Sequence, residues 1–419
     1  MHQAIIVQPN LNQYLVDYDY KMQEAINLAK ALDLDVCYST FNKIKDINPA
    51  FFLTKGFLDS LKEQVDFFKK PLVIVNYDIS AVQQRNLEKF LGCAVIDRTN
   101  LIINIFEKRA QSKEGKLQAE LARALYQKSK LVRAWTHLER QRGGGGFIGG
   151  PGETQKELDR RMLELKIESI KKDLIKITQD RKIQKNKRQK FNLNNGVLVG
   201  YTNSGKSTLF NTLTKATVVA KDLLFATLDP TTRNCFLQKN LNVILSDTVG
   251  FISDIPHQLI IAFKSTLEEV QNTNFILHVI DVSNSNYLDQ IDAVKKTLKE
   301  LQIDENIYNK KVIEVYNKID KLNKEQLVFF KNKNKIHPNT VLISAKKSTN
   351  IDELKNKILN IIKDNYEDIN IKVNFSNYKL VELIYNYGID IKQKALKDSW
   401  SFKFLINKAN SHFIKNASN

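Results

Sequence analysis

The sequence predicts an α/β protein in which a phosphate-loop (P-loop) domain is accompanied by three other domains. Strand-like and helix-like segments alternate over residues 1–106, which predicts an N-terminal parallel α/β domain. Coiled-coil spacing over residues 107–192 predicts an antiparallel helical hairpin with a glycine-rich tip. A phosphate-loop motif directly after an apolar run marks the third domain, residues 193–365, and residues 366–419 predict a small α+β domain.

The N-terminal domain contains four short apolar runs typical of buried strands. They lie at residues 4–7, 34–38, 72–75 and 93–96, with helical spacing between them. The ends of these runs carry neither phosphate-loop glycines nor a catalytic constellation. We therefore expect this domain to serve docking or regulation rather than to hold a second active site.

Apolar residues recur at alternating steps of four and three on both sides of a glycine-rich stretch. The first series runs from Leu117 to Leu138 and the second from Leu163 to Ile177. Such a seam packs one helix on another, which predicts two long antiparallel helices. The tip between them, residues 143–152, contains seven glycines, and glycine loses more entropy on ordering than other residues. A bound partner that orders this tip is therefore favoured over a plain linker.

The charge of the chain favours a polyanionic partner. Its 419 residues include 64 Lys and Arg against 46 Asp and Glu, a net charge of +18. Residues 156–190 alone carry thirteen basic and six acidic side chains, and residues 181–190 carry six basic and no acidic ones. A solvated coiled-coil face would have mixed charge, whereas this excess fits contacts to RNA phosphates, with Phe147 in the tip available for base stacking. A uniformly basic composition is the alternative.

The third domain opens with the motif G-Y-T-N-S-G-K-S, from Gly200 to Ser207, directly after the run V-L-V. In such a loop successive backbone N–H groups close on the β-phosphate, and Lys206 reaches the β and γ oxygens. The hydroxyl of Ser207 is offered to Mg²⁺. The motif predicts a nucleoside triphosphate ligand at the N-terminus of the following helix.

Three further motifs, each after a strand-like run, predict that this nucleotide is GTP. In D-x-x-G, Asp247 would hold the water shell of Mg²⁺ and the Gly250 N–H would sense the γ-phosphate. In N-K-I-D, Asp320 would accept from N1–H and the exocyclic amine of guanine, a donor pair that adenine lacks. A backbone N–H near Ala345, in the S-A-K turn, would meet guanine O6. Four such motifs at the carboxyl ends of strands resemble a translation-factor-type GTPase domain, which predicts an enzyme that hydrolyses GTP.

Several linear motifs resemble those of the HflX family of ribosome-associated GTPases. They are W-T-H-L-E-R-Q at 135–141, the glycine loop with G-P-G-E-T-Q at 150–155, D-R-R at 159–161, and a switch I-like stretch at 225–233. The match extends over about residues 1–365. The resemblance implies binding to the large ribosomal subunit and its ribosomal RNA near the peptidyl-transferase region. It also implies splitting of stalled or idle ribosomes into subunits.

Switch I needs a threonine hydroxyl that joins Mg²⁺ beside the γ-phosphate. Thr227, Thr231 and Thr232 all qualify by residue type, and the resemblance selects Thr227, so that Ser207 and Thr227 are the expected metal ligands. The full set of expected nucleotide contacts comprises the phosphate loop, switch I, the D-x-x-G segment and the two guanine-binding turns: Gly200, Tyr201, Thr202, Asn203, Ser204, Gly205, Lys206, Ser207, Phe225, Ala226, Thr227, Leu228, Asp229, Asp247, Thr248, Val249, Gly250, Asn317, Lys318, Ile319, Asp320, Ser344, Ala345 and Lys346.

Hydrolysis is predicted to depend on Lys206, Gly250 and Asn203. Ras-like enzymes carry a glutamine directly after the D-x-x-G glycine, but this chain has Phe251, whose ring cannot hydrogen-bond water. We therefore expect slow intrinsic hydrolysis, completed by the ribosome or by an ion. Asn203 stands where potassium-stimulated GTPases coordinate K⁺, which makes K⁺ a second candidate cation. Simple packing within the loop is the alternative role of Asn203.

Cysteine usage and hydropathy predict a cytoplasmic protein. Cys37, Cys93 and Cys235 are far apart without metal-ligand spacing, and we expect reduced thiols. No apolar run reaches transmembrane length and the first ten residues lack a signal pattern, so we expect no membrane segment, and a monomer. Two alternatives stay open: an RNA-binding module that uses GTP only as a conformational ligand, and a GTPase of another RNA-processing pathway.

Overall fold

The computed structural model describes most of the chain. Outside the described residues lie 1, 12–16, 142–150, 190–193, 216–223, 226–230, 239–240, 249, 254–255, 264–269, 272, 301, 337–338, 364–365, 409 and 419, and only the backbone is described for 132–141, 151–156, 178, 180–189, 257, 333–336, 416 and 418. The chain forms two compact units. Unit 1 comprises Met1–Thr178, Asp222–Asp229 and Asp254–Lys264, and unit 2 comprises Gln179–Lys221, Pro230–Ser253 and Ser265–Asn419.

Unit 1 is built on a four-stranded parallel sheet with strand order β2-β1-β3-β4. Its strands are β1 (Gln3–Asn10), β2 (Asp35–Lys43), β3 (Leu72–Val75) and β4 (Val95–Asp97). Its first helices are α1 (Tyr18–Ala31), α2 (Lys55–Phe67), α3 (Ala81–Leu91) and α4 (Arg98–Arg109). Strand β1 is buried on both faces, as expected when helices cover a parallel sheet. The predicted N-terminal parallel α/β fold is confirmed.

Two long helices follow, α5 (Lys113–Gln141) and α6 (Pro151–Gln189). Lys166 Nζ lies 2.9 Å from Glu120 Oε1, and Lys128 Nζ lies 2.9 Å from Glu164 Oε1, so the helices run antiparallel. The seam residues buried between them include Leu121, Ala124, Ile167, Ile170 and Leu174. Helix α6 starts at Pro151, a position where the missing N–H of proline costs no hydrogen bond. The glycine tip lies outside the described residues.

Helix α5 is anchored to the N-terminal sheet by buried polar contacts. The Asp97 carboxylate, which is fully buried at the end of β4, accepts from the Tyr126 hydroxyl (3.0 Å) and from Lys130 Nζ (2.5 Å). One turn earlier, Arg123 donates to Glu107 (2.9 Å) and Asn100 (2.6 Å) of α4. The base of α5 is thereby fixed to unit 1 through charge-assisted bonds.

Replacing Asp97 with alanine is expected to lower the free energy of unfolding by about 3–5 kcal/mol, because the largely buried Lys130 would lose its close, buried carboxylate partner. Chemical denaturation followed by circular dichroism measures this change. Asp78→Ala is the matched control, since its carboxylate lies 3.9 Å from the same Lys130 Nζ but is 45% exposed. We expect the control to cost less than about 1 kcal/mol. Equal losses in both variants would contradict the anchoring role of Asp97.

Two segments that follow the phosphate loop in the sequence belong to unit 1. The ring of Phe106 in α4 packs against Phe225 and Phe263, each with a centroid distance of 4.8 Å. Phe263 follows the short helix α8 (His257–Ala262), and Phe225 is 3% exposed with φ of +55°. We call these three rings the phenylalanine cluster. It fixes a residue of the predicted switch I stretch within unit 1.

Unit 2 contains a six-stranded sheet with strand order β10-β9-β8-β5-β7-β6. The strands are β5 (Asn194–Val199), β6 (Thr231–Gln238), β7 (Leu241–Asp247), β8 (Phe275–Asp281), β9 (Val312–Asn317) and β10 (Thr340–Leu342). All described pairings are parallel except that of β6 with β7. The helices of this part are α7 (Lys206–Thr214), α9 (Tyr287–Glu300), α10 (Glu305–Lys311), α11 (Lys324–Ile336) and α12 (Ile351–Ile362). This arrangement confirms the predicted P-loop α/β domain.

A buried polar network lies beside the central strand β8. The Nδ1 atom of His278, which is 1% exposed, is 2.8 Å from the Tyr308 hydroxyl, and that hydroxyl donates to Glu314 at 3.0 Å. Burial lowers the pKa of His278 to about 4, although the Glu314 carboxylate opposes this shift. His278 is therefore neutral in the folded protein at pH 7.

The folded protein is expected to lose stability between pH 7 and pH 5. Unfolded histidine takes up a proton near pH 6.5, whereas folded His278 does not until about pH 4, so stability falls as the pH falls. Down to pH 5 the loss amounts to about 2 kcal/mol. The variant His278→Asn keeps a polar atom near the Nδ1 position. Its thermal unfolding should show a smaller loss of stability between pH 7 and pH 5 than that of the unmodified protein. The same slope in His278→Asn as in the exposed-site control His412→Asn would contradict this account.

The C-terminal part of unit 2 is a three-stranded antiparallel sheet with two helices. The strands are β11 (Tyr366–Asn374), β12 (Ile389–Ala395) and β13 (Ser399–Asn407), in the order β11-β13-β12. The helices α13 (Tyr378–Tyr387) and α14 (Ser411–Ser418) close a core that includes Phe402, Phe404 and Ile384. The predicted α+β fold is confirmed. Within the described residues, no helix has the length and apolarity needed to cross a membrane.

Candidate nucleotide-binding site

Four motifs meet at the carboxyl edge of the six-stranded sheet because each follows one of its parallel strands. Gly200 follows β5, Asp247 ends β7, Asn317 ends β9, and Ser344 follows β10 after one residue. Since β5 lies between β7 and β8 in the strand order, the phosphate loop occupies the middle of this edge. The edge is the position at which open α/β sheets bind ligands.

The phosphate loop passes so close to β9 that its last glycine admits no side chain. Gly205 has φ of +95°, and a Cβ atom built on it would lie 2.3 Å from Nδ2 of Asn317. The same Nδ2 donates to the Ser204 carbonyl at 2.9 Å, and the Ala345 N–H donates to Asn317 Oδ1 at 3.0 Å. Asn317 thus connects the phosphate loop to the S-A-K turn through hydrogen bonds to both.

Lys206, which is predicted to contact the β and γ oxygens, is buried within the phosphate loop. Its Nζ donates to the carbonyls of Gly200 (3.1 Å) and Tyr201 (2.9 Å), and the residue is 7% exposed. Burial lowers the pKa of Lys206 to about 8, with the Asp247 carboxylate opposing the shift. A phosphate beside this ammonium would favour its charged form, so the loop is suited to an anionic ligand.

Ser207 and Asp247 form an oxygen pair of the kind that Mg²⁺ prefers. The Ser207 hydroxyl donates to Asp247 Oδ2 at 2.8 Å, and Asp247 is fully buried. The neighbouring Thr248 hydroxyl donates to the Leu198 carbonyl at 2.6 Å, which fixes this end of β7 to β5. The donor set present here therefore fits Mg²⁺.

The segment after D-x-x-G pairs directly with the phosphate loop. The Thr202 N–H donates to the Phe251 carbonyl (2.7 Å), and the Phe251 N–H donates to the Gly200 carbonyl (3.0 Å). The Tyr201 hydroxyl lies 2.8 Å from Ser253 Oγ and accepts from the Ser253 N–H at 2.8 Å. The Phe251 ring is 3% exposed. A movement of residues 250–253 must therefore break hydrogen bonds to the phosphate loop.

The guanine-binding turns place a carboxylate at the edge of the sheet. The Ser344 hydroxyl donates to Asp320 Oδ1 at 2.6 Å, and this bond holds the pKa of Asp320 below its usual value. Asp320 is therefore ionised at neutral pH. The Ala345 N–H, predicted to meet guanine O6, donates here to Asn317, so binding O6 through it requires that this bond be shared or exchanged.

Lys318 connects the phosphate loop to β8. Its backbone has φ of +65°, and its Nζ lies 2.7 Å from Asp281 Oδ2 and donates to the Asn203 carbonyl at 2.8 Å. The Asn203 backbone has φ of +59°, and the residue is exposed. Asp281 and Ser253 were not among the predicted residues. The aspartate that ends the apolar run of β8 is the sequence signal that could have indicated Asp281.

Some of the remaining predicted nucleotide-contact residues are described by the structure, and others lie outside the described residues. Ile319 is half-buried and Lys346 is exposed beside the guanine-binding turns. Phe225 lies in the phenylalanine cluster of unit 1. Five predicted residues lie outside the described residues: Ala226, Thr227, Leu228, Asp229 and Val249. Their nucleotide contacts stay predictions, including the metal contact of Thr227.

The fold and the four converging motifs define a P-loop GTPase domain. Family models match in chain order: "GTP-binding GTPase N-terminal" at residues 19–107, "GTP-binding GTPase Middle Region" at 109–188 and "50S ribosome-binding GTPase" at 195–318. The GTPase HflX of Magnetococcus marinus is 45% identical over 301 residues, covering 72% of this chain and 69% of its own. That of Escherichia coli K12 is 40% identical over 354 residues, covering 84% and 81%. The chain belongs to the HflX family of GTPases, and it is a GTP hydrolase.

A solved structure is also similar. The crystal structure of a GTP-binding protein from the hyperthermophilic archaeon Sulfolobus solfataricus in complex with GDP is 25% identical, with a TM-score of 0.45. The match covers 87% of this chain and 99% of that chain.

Proposed function

We propose that the chain is a GTP-dependent switch that docks on the large ribosomal subunit through RNA contacts and splits stalled or idle ribosomes into subunits. Membership of the HflX family and the match to a model described as a 50S ribosome-binding GTPase support this partner. The observation that carries the proposal is the distribution of charge along α6. The chain thus combines a GTPase site with a strongly cationic helix end that can bind RNA phosphates, as the proposal requires.

The positive excess of α6 is confined to its C-terminal end. Residues 157–180 carry six basic and six acidic side chains. Most of these basic groups have acidic neighbours: Arg160 with Glu164 (3.4 Å), Lys166 with Glu120 (2.9 Å), Lys172 with Glu168 (2.9 Å) and Lys176 with Asp173 (3.4 Å). Residues 181–190 carry six basic and no acidic side chains. We assign the main phosphate contact of the hairpin to residues 181–190, and a second contact to the glycine tip.

In this proposal the residues at the sheet edge bind and orient GTP. Lys206 neutralises the β and γ oxygens, the Gly250 N–H reports the γ-phosphate, and Asp320 accepts from guanine N1–H and its amine. Ser207 and Thr227 would hold Mg²⁺, with Asp247 on its water shell. When bound, Mg²⁺ supplies neutralisation of the phosphate charge. The domain division into 1–106, 107–192, 193–365 and 366–419 is part of the same proposal.

Intrinsic turnover is expected to be slow because the buried Phe251 ring supplies no group that could orient water. Asn203 would coordinate K⁺ next to the phosphates and raise the rate. Hydrolysis measured in K⁺ and in Na⁺ buffers at equal ionic strength tests this role. Asn203→Ala should abolish the K⁺ stimulation, and identical rates of the unmodified protein in both buffers would overturn it.

Co-sedimentation with purified large subunits, comparing a non-hydrolysable GTP analogue with GDP, tests the docking. The informative variant replaces with glutamine the six basic residues of positions 181–190: Arg181, Lys182, Lys185, Lys187, Arg188 and Lys190. The control neutralises six exposed lysines of unit 1: Lys30, Lys43, Lys45, Lys55, Lys69 and Lys89. We expect analogue-dependent binding that only the first variant loses. Sucrose-gradient analysis of whole ribosomes incubated with the protein and GTP then tests whether it splits them into subunits.

Two outcomes would count against the proposal. Equal binding with GDP and the analogue, together with a GTPase rate that subunits do not change, would favour an RNA-binding module that uses GTP only as a conformational ligand. Equal losses in the two six-residue variants would mean that net charge, and not the end of α6, controls docking.

A further inference from the structure

The C-terminal sheet has two different faces. On the face towards α13 and α14, Val373, Phe402 and Phe404 are buried in a core with Leu380 and Ile384. Because side chains alternate along a strand, the residues between these positions point to the opposite face. Neither described helix of this domain packs on the second face, since α13 and α14 both contribute to the core on the first face. The composition of the second face therefore indicates what can bind there.

Four exposed lysines occupy the second face, on all three strands. In one row across the sheet Lys403 of β13 stands between Asn370 of β11 and Lys392 of β12. In the next row Ser401 stands between Lys372 and Lys394. We call Lys372, Lys392, Lys394 and Lys403 the lysine face; all four are exposed. Directly opposite residues have Cβ atoms about 5 Å apart, and the rows are about 7 Å apart along the strand, so the four ammonium groups form one compact array.

This array is unfavourable for the isolated fold. Lys392 and Lys403 stand directly opposite each other, and like charges in that position destabilise a sheet. Within the described part of the chain one ion pair involves the lysine face, between Lys403 Nζ and Asp368 Oδ2 at 3.3 Å, with the Asp368 side chain 52% exposed. Asp390, two residues before Lys392, is the other exposed carboxylate beside this face, so four ammonium groups still outnumber two carboxylates and the face is cationic. An anionic partner would remove this repulsion.

Neighbouring parts of unit 2 cover only one end of the second face. Leu405 and Tyr366 lie on this face at the end nearer to α12 and pack on the core of the six-stranded sheet, which includes Leu359 and Ile362. The lysine face lies beyond them along the strands and stays exposed. It is therefore a surface available for binding rather than a contact within unit 2.

We infer that the lysine face binds the backbone phosphates of double-helical RNA. Exposed Leu396 lies at the margin of this face, just beyond β12, but the exposed strand residues around the four lysines are polar. A protein interface is instead centred on apolar and aromatic side chains and is depleted of lysine. The exposed strand residues described on this face likewise offer no ring on which an unpaired base could stack, which favours a duplex over a single strand. Lysines act as point charges, so these contacts would position RNA without reading its sequence. The inference goes beyond the proposed function, which places the RNA contact on the hairpin.

The experiment uses the full-length chain and a short mixed-sequence RNA duplex, with binding measured by fluorescence anisotropy over a salt series. The face variant is K372Q/K392Q/K394Q/K403Q. The charge-matched control is K299Q/K310Q/K331Q/K379Q, four exposed lysines elsewhere in unit 2. We expect the face variant to bind at least tenfold more weakly and its slope of log K against log salt to be shallower by about 3.6, at about 0.9 for each of four phosphate contacts. The control should keep the slope of the unmodified chain.

A residue-level measurement separates this surface from the hairpin. Lysine acetylation followed by mass spectrometry should show that duplex RNA protects the lysine face and leaves Lys299 and Lys379 reactive. Protection would persist in the chain neutralised over residues 181–190, so failure of the proposed hairpin contact would not remove it. The face variant should melt at or above the temperature of the unmodified chain, because it relieves the Lys392–Lys403 repulsion.

Three results would overturn the inference. Equal slopes of log K against log salt in the face variant and the control would mean that weaker RNA binding follows from the lower net charge and not from the lysine face. Unchanged protection of the lysine face on adding RNA would show that RNA does not reach it. Loss of binding to polyglutamate in the face variant, with RNA binding unchanged, would assign the face to an acidic protein partner.

Discussion

Gly250→Ala is expected to reduce GTP hydrolysis by about 100-fold, a loss typical of removing one positioned hydrogen-bond donor from a reacting group. A Cβ atom at this position would lie 2.8 Å from Thr202 Cγ2, 3.0 Å from Thr202 Cα and 3.1 Å from Lys206 Nζ. The Thr202 backbone is held by its bond to Phe251, so the D-x-x-G segment has to move away from the phosphate loop. The Gly250 N–H would then no longer reach the γ-phosphate. Single-turnover hydrolysis measures the loss.

The matched control is Gly56→Ala, since no atom lies within 4 Å of a Cβ built at Gly56. This control should keep the hydrolysis rate. It should lose no stability, because alanine favours the helix α2 more than glycine does. Gly250→Ala should bind GDP within about tenfold of the unmodified protein but discriminate poorly between GDP and a GTP analogue. A wild-type rate in Gly250→Ala would show that this close approach plays no part in hydrolysis.

Asp320→Asn is expected to weaken GTP binding by about 100-fold or more and to create binding of xanthosine triphosphate. The carboxylate would accept two hydrogen bonds from guanine, each worth about 1.5–3 kcal/mol when one partner is charged. An amide at this position presents a donor, which opposes the guanine amine but matches the C2 carbonyl of xanthine. Titration with fluorescent analogues of both nucleotides measures the exchange of specificity.

The exposed Asp66→Asn in α2 controls for the loss of one negative charge and should leave both affinities unchanged. Weak binding of guanine and xanthine nucleotides alike would indicate that the turn itself was damaged, since Asp320 also accepts from Ser344 at 2.6 Å. Retention of full GTP affinity would show that Asp320 does not contact the base.

The parts predictable from the sequence are those encoded by local spacing. The phosphate loop, the D-x-x-G segment and the N-K-I-D turn each depend on residues a few positions apart, and each follows a strand whose apolar run is visible in the sequence. The coiled-coil seam is equally local, and Ile167, Ile170 and Leu174 are buried as its spacing predicted. Element types could therefore be predicted without knowledge of the tertiary contacts.

The parts that could not be predicted depend on residues distant in the sequence. Lys318 pairs with Asp281, which ends a strand that does not carry one of the four motifs. The Ala345 N–H was expected to be available to guanine, but it bonds to Asn317 of a different strand. The lysine face requires the register of three strands, and β12 has too little apolar character to be identified from its sequence. Alternation alone does not specify which strands are neighbours.

The phenylalanine cluster has an energetic consequence for the nucleotide cycle. Exposing a fully buried phenylalanine costs about 1.5–3 kcal/mol, so a rearrangement that draws Phe225 away from Phe106 begins with an unfavourable factor of roughly 10 to 150. A ligand shifts such an equilibrium only by its difference in affinity for the two states. A ligand that draws Phe225 out of the cluster must therefore bind the rearranged state more tightly than the packed state by at least that factor. The cluster thus sets the smallest difference in affinity between the two states that a ligand needs in order to move Phe225.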